Sequence, residues 1–256
     1  MGMLDNKIVC VTGASAGIGQ AIAHCMAREG ARLIICARRM ERLEKLAAEL
    51  KKEYGTDSHS IELDVRHQPD VEKAFASLPD NWKAIDILVN NAGLSRGLSK
   101  VHEADLQDWE EMIDTNVKGL LYITRVILPG MVSRNKGHVV NIGSVSGHQL
   151  YPGGNVYCAT KHAVDAITRG MQIDLVDSPV RVSTVDPGMV ETEFSLVRFH
   201  GDKERAAGVY KGFTPLAGED IAETVLFCVT RPAHVNIHQV LIMPKAQATA
   251  TISHRK

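Results

Sequence analysis

The chain is expected to form a single α/β domain, a doubly wound parallel sheet of about seven strands with helices on both faces. Three observations predict it. Short β-branched runs alternate with longer helical patterns from one end to the other. The strand candidates are nearly continuous in apolar residues, as in strands covered on both sides. No proline- or serine-rich linker and no internal repeat divides the 256 residues, a length that can bury one large core.

The elements follow in order. KIVCVT (7–12) is an apolar strand stopped by the glycine-rich TGASAGIG (12–19), which opens an amphipathic helix at 17–29. RLIICA (32–37) is the second strand, and the charged periodic run after it gives a helix at 40–53. HSIELDV (59–65) and IDILVN (85–90) flank a helix at 69–78. A long helical pattern over 105–134 leads to GHVVNIG (137–143), and one over 156–177 leads to VRVSTVD (180–186). A last helix at 219–230 precedes NIHQVLIM (236–243). Right-handed crossovers then wind the sheet in both directions.

Composition narrows the function. Twenty-nine Lys and Arg against 30 Asp and Glu give a net charge of −1 with no basic block, so neither nucleic acid nor an anionic membrane surface is expected as a partner. The N-terminal MGMLDNKIVCVTG lacks the flanks of a secretion signal, and no uncharged apolar run is long enough for a membrane span. Five scattered cysteines without a CxxC pair read as reduced core thiols of a cytoplasmic protein, with Cys158 a candidate for exposure beside Tyr157. The 11 histidines show no HxxxH or HExxH spacing, so no metal is assigned.

In an open α/β sheet the ligand crevice lies beyond the carboxyl ends of the strands. The unusual residues collect there: TGASAGIG after the first strand, ARR (37–39) after the second, Asp64 and Val65 at the third, NNAG (90–93) at the fourth, IGSVSG (142–147) at the fifth and DPG (186–188) at the sixth. Gly13, Gly17 and Gly19 let a backbone approach a pyrophosphate at a helix N-terminus. Where an acid would hold the ribose hydroxyls of NAD, the chain has Ala37, Arg38 and Arg39, which suit a 2′-phosphate or else simply begin a charged helix. Tyr157 and Lys161, four apart, share one helix face, so an ammonium there can favour the phenolate. The alternative is a packed aromatic beside a solvated lysine.

Together these residues resemble the short-chain dehydrogenase/reductase family, a Rossmann-type fold. The match rests on TGASAGIG, NNAG, Asn116 in DTNVKG, Ser144, Tyr157-x-x-x-Lys161 and the 13-residue step from Ser144 to Tyr157. The resemblance implies Tyr157 as general acid or base, Lys161 lowering its pKa and bonding the nicotinamide ribose, and Ser144 binding the substrate oxygen. It implies Asn116 as holder of a proton-relay water; from the residue alone a backbone-satisfying amide is an equal reading. NADP(H) is the implied cofactor, held by Gly13, Ser15, Gly17, Ile18, Gly19, Arg38, Arg39, Asp64, Val65, Asn90, Ala92, Gly93, Tyr157, Lys161, Pro187, Gly188, Val190 and Thr192.

TEFSLVRFHGD, within a substrate lid at about 189–213, and YPGGNVYCATK resemble the subgroup of NADP-dependent 3-hydroxy acid dehydrogenases, which act on serine and allo-threonine. Arg198 is then a candidate clamp for a substrate carboxylate, or a solvated lid residue, while His148, Gln149 and Tyr151 are candidates for the same pocket. A broad aldehyde and ketone reductase and a non-catalytic NADP sensor remain as alternatives. The helix at 156–177 carries apolar residues on two sides (Val164, Ile167, Met171, Leu175; Ala163, Ala166, Gly170, Ile173), so it is either deeply buried or part of a subunit interface. The resemblance implies a homo-oligomer, most simply a tetramer.

Overall fold

The computed structural model describes residues 2–256. Its strands β1 (Ile8–Thr12), β2 (Arg32–Ala37), β3 (Ser58–Glu62), β4 (Ile87–Asn90), β5 (His138–Ile142), β6 (Arg181–Pro187) and β7 (Gln239–Ile242) form one sheet in the order β3-β2-β1-β4-β5-β6-β7. Every neighbouring pair is parallel. The expected doubly wound fold is therefore present, and its topological switch point lies between β1 and β4.

Strand alternation divides the core in two. Val9, Val11, Leu33, Ile35 and Val89 pack under α1 (Gly17–Arg28), α2 (Met40–Tyr54) and α9 (Gly218–Val229). Ile8, Cys10, Ile34, Leu88 and Val139 face the other layer, built from α3 (Gln68–Ala76), α5 (Leu120–Ser133) and α6 (Asn155–Asp174). All five cysteines are buried and unpaired, Cys158 included, which corrects its expected exposure: it lies on the inner side of α6.

The long helix expected over 105–134 is three pieces: α4 (Leu106–Ile113), a π-helical turn (Asp114–Gly119) and α5. Such turns commonly occur at functional sites. This one carries Asn116. Two short helices, α7 (Phe194–Arg198) and α8 (Lys203–Gly208), lie in the loop after β6. The outer side of α6 ends in Ile173, and with Val176 just beyond the helix both are largely exposed, so the chain leaves part of its second apolar side uncovered. No helix among the described residues is long and apolar enough to cross a membrane.

Candidate active site

One cleft runs along the carboxyl edge of the sheet, from the β2 end across the switch point to the loop after β6. At its centre Gly13 (φ +66) and Gly17 (φ +56) adopt left-handed backbone that other residues reach at a cost. A Cβ on Gly13 would sit 2.9 Å from Ala92 Cα, and one on Gly17 would sit 3.1 Å from the Thr192 side chain. Helix α1 begins here, and its N-cap residue Ala16 offers no side-chain acceptor. The turn thus presents bare backbone and a helix N-terminus to the cleft, the surroundings a pyrophosphate requires. A dinucleotide fits these residues.

Of the residues expected around the cofactor, all but Gly19 and Asn90 line this cleft. Gly19 is buried where a Cβ would strike the Asn91 amide and the Gly13 carbonyl, so it packs the turn rather than facing a ligand. Asn90 points away: its Nδ2 donates to Thr124 Oγ1 at 2.9 Å and Asn141 Oδ1 at 3.0 Å. It shares strand parity with Leu88, which faces α5. Asn91 takes the cleft position instead, and its Nδ2 donates to the Thr12 carbonyl at 2.8 Å. Asp64 lines the cleft while Arg66 donates to both of its carboxylate oxygens; burial pushes its pKa up, but Arg66 outweighs that and the net shift is downward.

At the β2 end, Arg38 is exposed on the cleft wall, and Arg39 Nη2 donates to Ser15 Oγ at 3.1 Å. Two residues that the motifs did not indicate join them. Glu193 lies 3.4 Å from Arg39 Nη1, and both of its oxygens lie 2.9 Å from Arg42 Nη1. Burial pushes the Glu193 carboxyl up, but the two guanidiniums hold it below the usual range.

The chemical end is assembled by β5, the π-turn and α6. Ser144 caps the 3-10 turn Val145–Gly147, its Oγ accepting from Ser146 N at 3.1 Å. Lys161 Nζ donates to the Ile142 carbonyl at 2.8 Å, and burial lowers its pKa to about 8 against the opposing charge of Asp186. Asn116 is fully engaged: Oδ1 accepts from Leu94 N at 2.8 Å, and Nδ2 donates to Leu94 O at 2.8 Å and Thr160 Oγ1 at 3.0 Å. Its side chain therefore ties the π-turn to the loop after β4 and to α6. A Cβ on Gly93 would sit 3.3 Å from Asn116 Oδ1 and 3.8 Å from Lys161 Nζ, which brings the two expected residues to one spot.

The Tyr157 phenol is pushed up by burial and pulled back by Arg198 and the Ser144 hydroxyl. That differs from the expected pairing, in which Lys161 supplies the charge. The cation over the ring is Arg198, whose guanidinium carbon lies 5.4 Å from the Tyr157 centroid and 5.0 Å from that of Phe194. Arg198 Nη2 donates to Tyr151 Oη at 3.0 Å, and its Nε is buried without a partner. Of the residues expected in the substrate pocket, Ser144 and Tyr157 line the cleft, whereas Tyr151, Arg198, His148 and Gln149 are not part of its wall, the last two being held by remote partners. His148 Nε2 donates to Asp186 Oδ2 at 2.8 Å, and Gln149 Oε1 accepts from Ala250 N at 2.7 Å. Both side chains are drawn to long-range partners behind the Ser144 turn.

With this geometry in place, comparison with known proteins identifies the class. The family model for short chain dehydrogenases matches residues 7–201, and the chain belongs to that family. Among its relatives is the NADP-dependent 3-hydroxy acid dehydrogenase YdfG of Salmonella typhi, 50% identical over 250 residues that cover 97% of this chain and 99% of that protein. The Schizosaccharomyces pombe NADP-dependent 3-hydroxy acid dehydrogenase is 43% identical, with 100% and 99% covered. The closed form of a serine dehydrogenase complexed with NADP+ superposes with a TM-score of 0.91 at 48% identity, covering 97% of this chain and all of that one. The expected family, fold and dehydrogenase class are borne out.

Proposed function

We propose that this chain is an NADP-dependent oxidoreductase acting between the hydroxyl and carbonyl forms of a small 3-hydroxy acid such as serine or allo-threonine. Near-full-length similarity to proteins of that name supports the class. When bound along the cleft, NADP(H) supplies or accepts the hydride. The residues that would hold it are the Gly13–Gly17 turn at the pyrophosphate, Arg38 and Arg39 at the 2′-phosphate, Asp64 and Val65 at the adenine, and Pro187, Gly188 and Thr192 at the nicotinamide. Tyr157 gives a proton to the substrate oxygen in reduction or takes it in oxidation, and Ser144 donates a hydrogen bond to that oxygen. Lys161 keeps positive charge beside them. A soluble homo-oligomer in the cytoplasm, most simply a tetramer, completes the reading.

The observation that carries the acid substrate is the buried, unpartnered Arg198 Nε over the Tyr157 ring. This group lies just behind the cleft-lining Phe194 and Val197 and would meet a carboxylate once α7 shifts. A buried guanidinium donor without an acceptor is costly, and a carboxylate supplies the acceptor. Arg198 lies on α7, within the segment at about 189–213 that we read as the lid, soon after the nicotinamide-side residues. Arg198→Leu should lower kcat/KM for 3-hydroxy acids by about 1.5–3 kcal/mol, the worth of a charge-assisted bond, and affect neutral alcohols far less. Equal losses for both classes, or acids turned over no better than neutral analogues by the wild type, would hand the site to a broad carbonyl reductase.

A further inference from the structure

Among the described residues, Asp186 is the one buried carboxylate, and the motifs assign it no role. It is 2% exposed at the end of β6, and four side chains or backbone positions converge on it. Thr184 Oγ1 donates to Oδ1 at 2.7 Å, while His148 Nε2 at 2.8 Å and Gln239 Nε2 at 2.6 Å donate to Oδ2. Its Oδ1 also fills the place where a Cβ on Gly143 would stand, so residue 143 is confined to glycine. The preceding carbonyl, that of Ile142, accepts from Lys161 Nζ. Carboxylate and ammonium thus bracket the Ile142–Gly143 peptide, from which the Ser144 turn starts. On its other side that turn is pressed against the Lys161 backbone, since a Cβ on Gly147 would sit 2.8 Å from the Lys161 carbonyl oxygen.

We propose that Asp186 is a positioning residue: the buried counter-charge of Lys161 and, through His148 and its contact with Gly143, the anchor of the Ser144 turn. A buried ammonium with a single carbonyl acceptor is unstable as a cation unless an opposite charge lies close. The other charged groups facing this region do not fill that role. Asp165 on α6 is reached by the same Gln239 amide at 3.5 Å but is paired with Arg169 at 3.0 Å. Tyr157 is neutral until it gives up its proton, and Arg198 carries the same sign as Lys161. Burial is the largest influence on Lys161 and lowers its pKa, and Asp186 is the charge that opposes the fall.

The inference rests on the reading of Lys161 as a working cation, and its test separates the two. The Lys161 ¹⁵Nζ resonance is followed against pH in the whole protein without cofactor, so turnover does not enter. Neutralising the carboxylate in Asp186→Asn should move the Lys161 midpoint down by roughly 1–3 pH units, the range for one nearby opposite charge. The alkaline limb of the kcat profile should move down with it, because Lys161 then loses its proton at lower pH. Gln239→Lys changes a largely exposed side chain, keeps the buried one, and sets a cation against the carboxylate; it should move the midpoint the same way even if Asp186→Asn folds poorly. His148→Gln retains a donor and the charge, so the midpoint should stay. No shift in either charge variant, or an equal shift in His148→Gln, overturns the role of Asp186. A shifted midpoint with an unmoved kcat limb supports Asp186 as counter-charge and refutes Lys161 as the catalytic cation.

Discussion

Glu193 sits where a phosphate would compete for the same guanidiniums, which gives a prediction of unusual sign. Its carboxylate contacts Arg42 at 2.9 Å and Arg39 at 3.4 Å, while Arg39 also donates to Ser15. All three charged side chains are about two-fifths exposed, so the pairs are screened and are worth roughly 0.2–1 kcal/mol. A 2′-phosphate taking the Arg39 guanidinium must displace or share it with that carboxylate, whereas NAD carries no such group. Glu193→Gln should therefore tighten NADP binding by about 1.4- to 5-fold and leave NAD unchanged. Arg39→Ala should act oppositely, weakening NADP by roughly 10- to 150-fold if it makes one charge-assisted bond to the phosphate. Calorimetric Kd values for NADP+, NAD+ and 2′,5′-ADP, measured at one ionic strength, separate the terms. If Glu193→Gln weakens NADP, or alters NAD equally, the carboxylate orients the arginines rather than competing with the ligand, and the argument fails.

Tyr157→Phe should keep the fold and the NADP+ Kd while lowering kcat by roughly 10²–10⁴-fold, and near-normal turnover in a folded variant would remove the residue from the proton transfer. Light scattering at micromolar concentration should show an oligomer, since Leu106, Leu121, Ile173 and Val176 are exposed on or beside the helices expected at the interface; a monomer throughout would contradict it. His138 is buried on β5 with Nε2 2.8 Å from Ser183 Oγ, and burial, aided by Arg181, lowers its pKa from 6.5 to about 3. The unfolded chain then binds the extra proton, so this stability is complete above about pH 6.5 and is lost as pH falls towards 3. Urea midpoints measured across that window should fall with acid in the wild type and fall less steeply in His138→Gln.

What could be read from the chain was what lies within one element. The strand and helix order follows from apolar period alone, and the glycine turn and the Tyr157–Lys161 spacing are local. The division of the 105–134 pattern was hidden because a π-turn adds one residue to a helix without changing which residue types it tolerates. Helices α7 and α8, of 5 and 6 residues, are too short to show a period. Asn90 was a matter of parity: counting from Leu88 in an alternating strand turns its amide towards α5 and gives the cleft to Asn91, a signal present in the sequence.

The remaining misses share a different cause, which is distance along the chain. His148 meets a carboxylate 38 residues away, Arg42 one 151 away, and Gln149 a backbone amide 101 away. A motif records the side chains that a reaction needs but not the partners that hold or release them. For Arg198 the consequence runs further, because the ring it covers belongs to the expected proton donor. Its charge pulls the phenol pKa down in the direction assigned to Lys161. If a substrate carboxylate takes that guanidinium, it also screens the phenol from it, so binding an acid raises the proton affinity of Tyr157 at the moment the site is filled. Recognition of the substrate and tuning of its acid would then share one side chain, which neither the Tyr-x-x-x-Lys spacing nor the lid sequence could disclose separately.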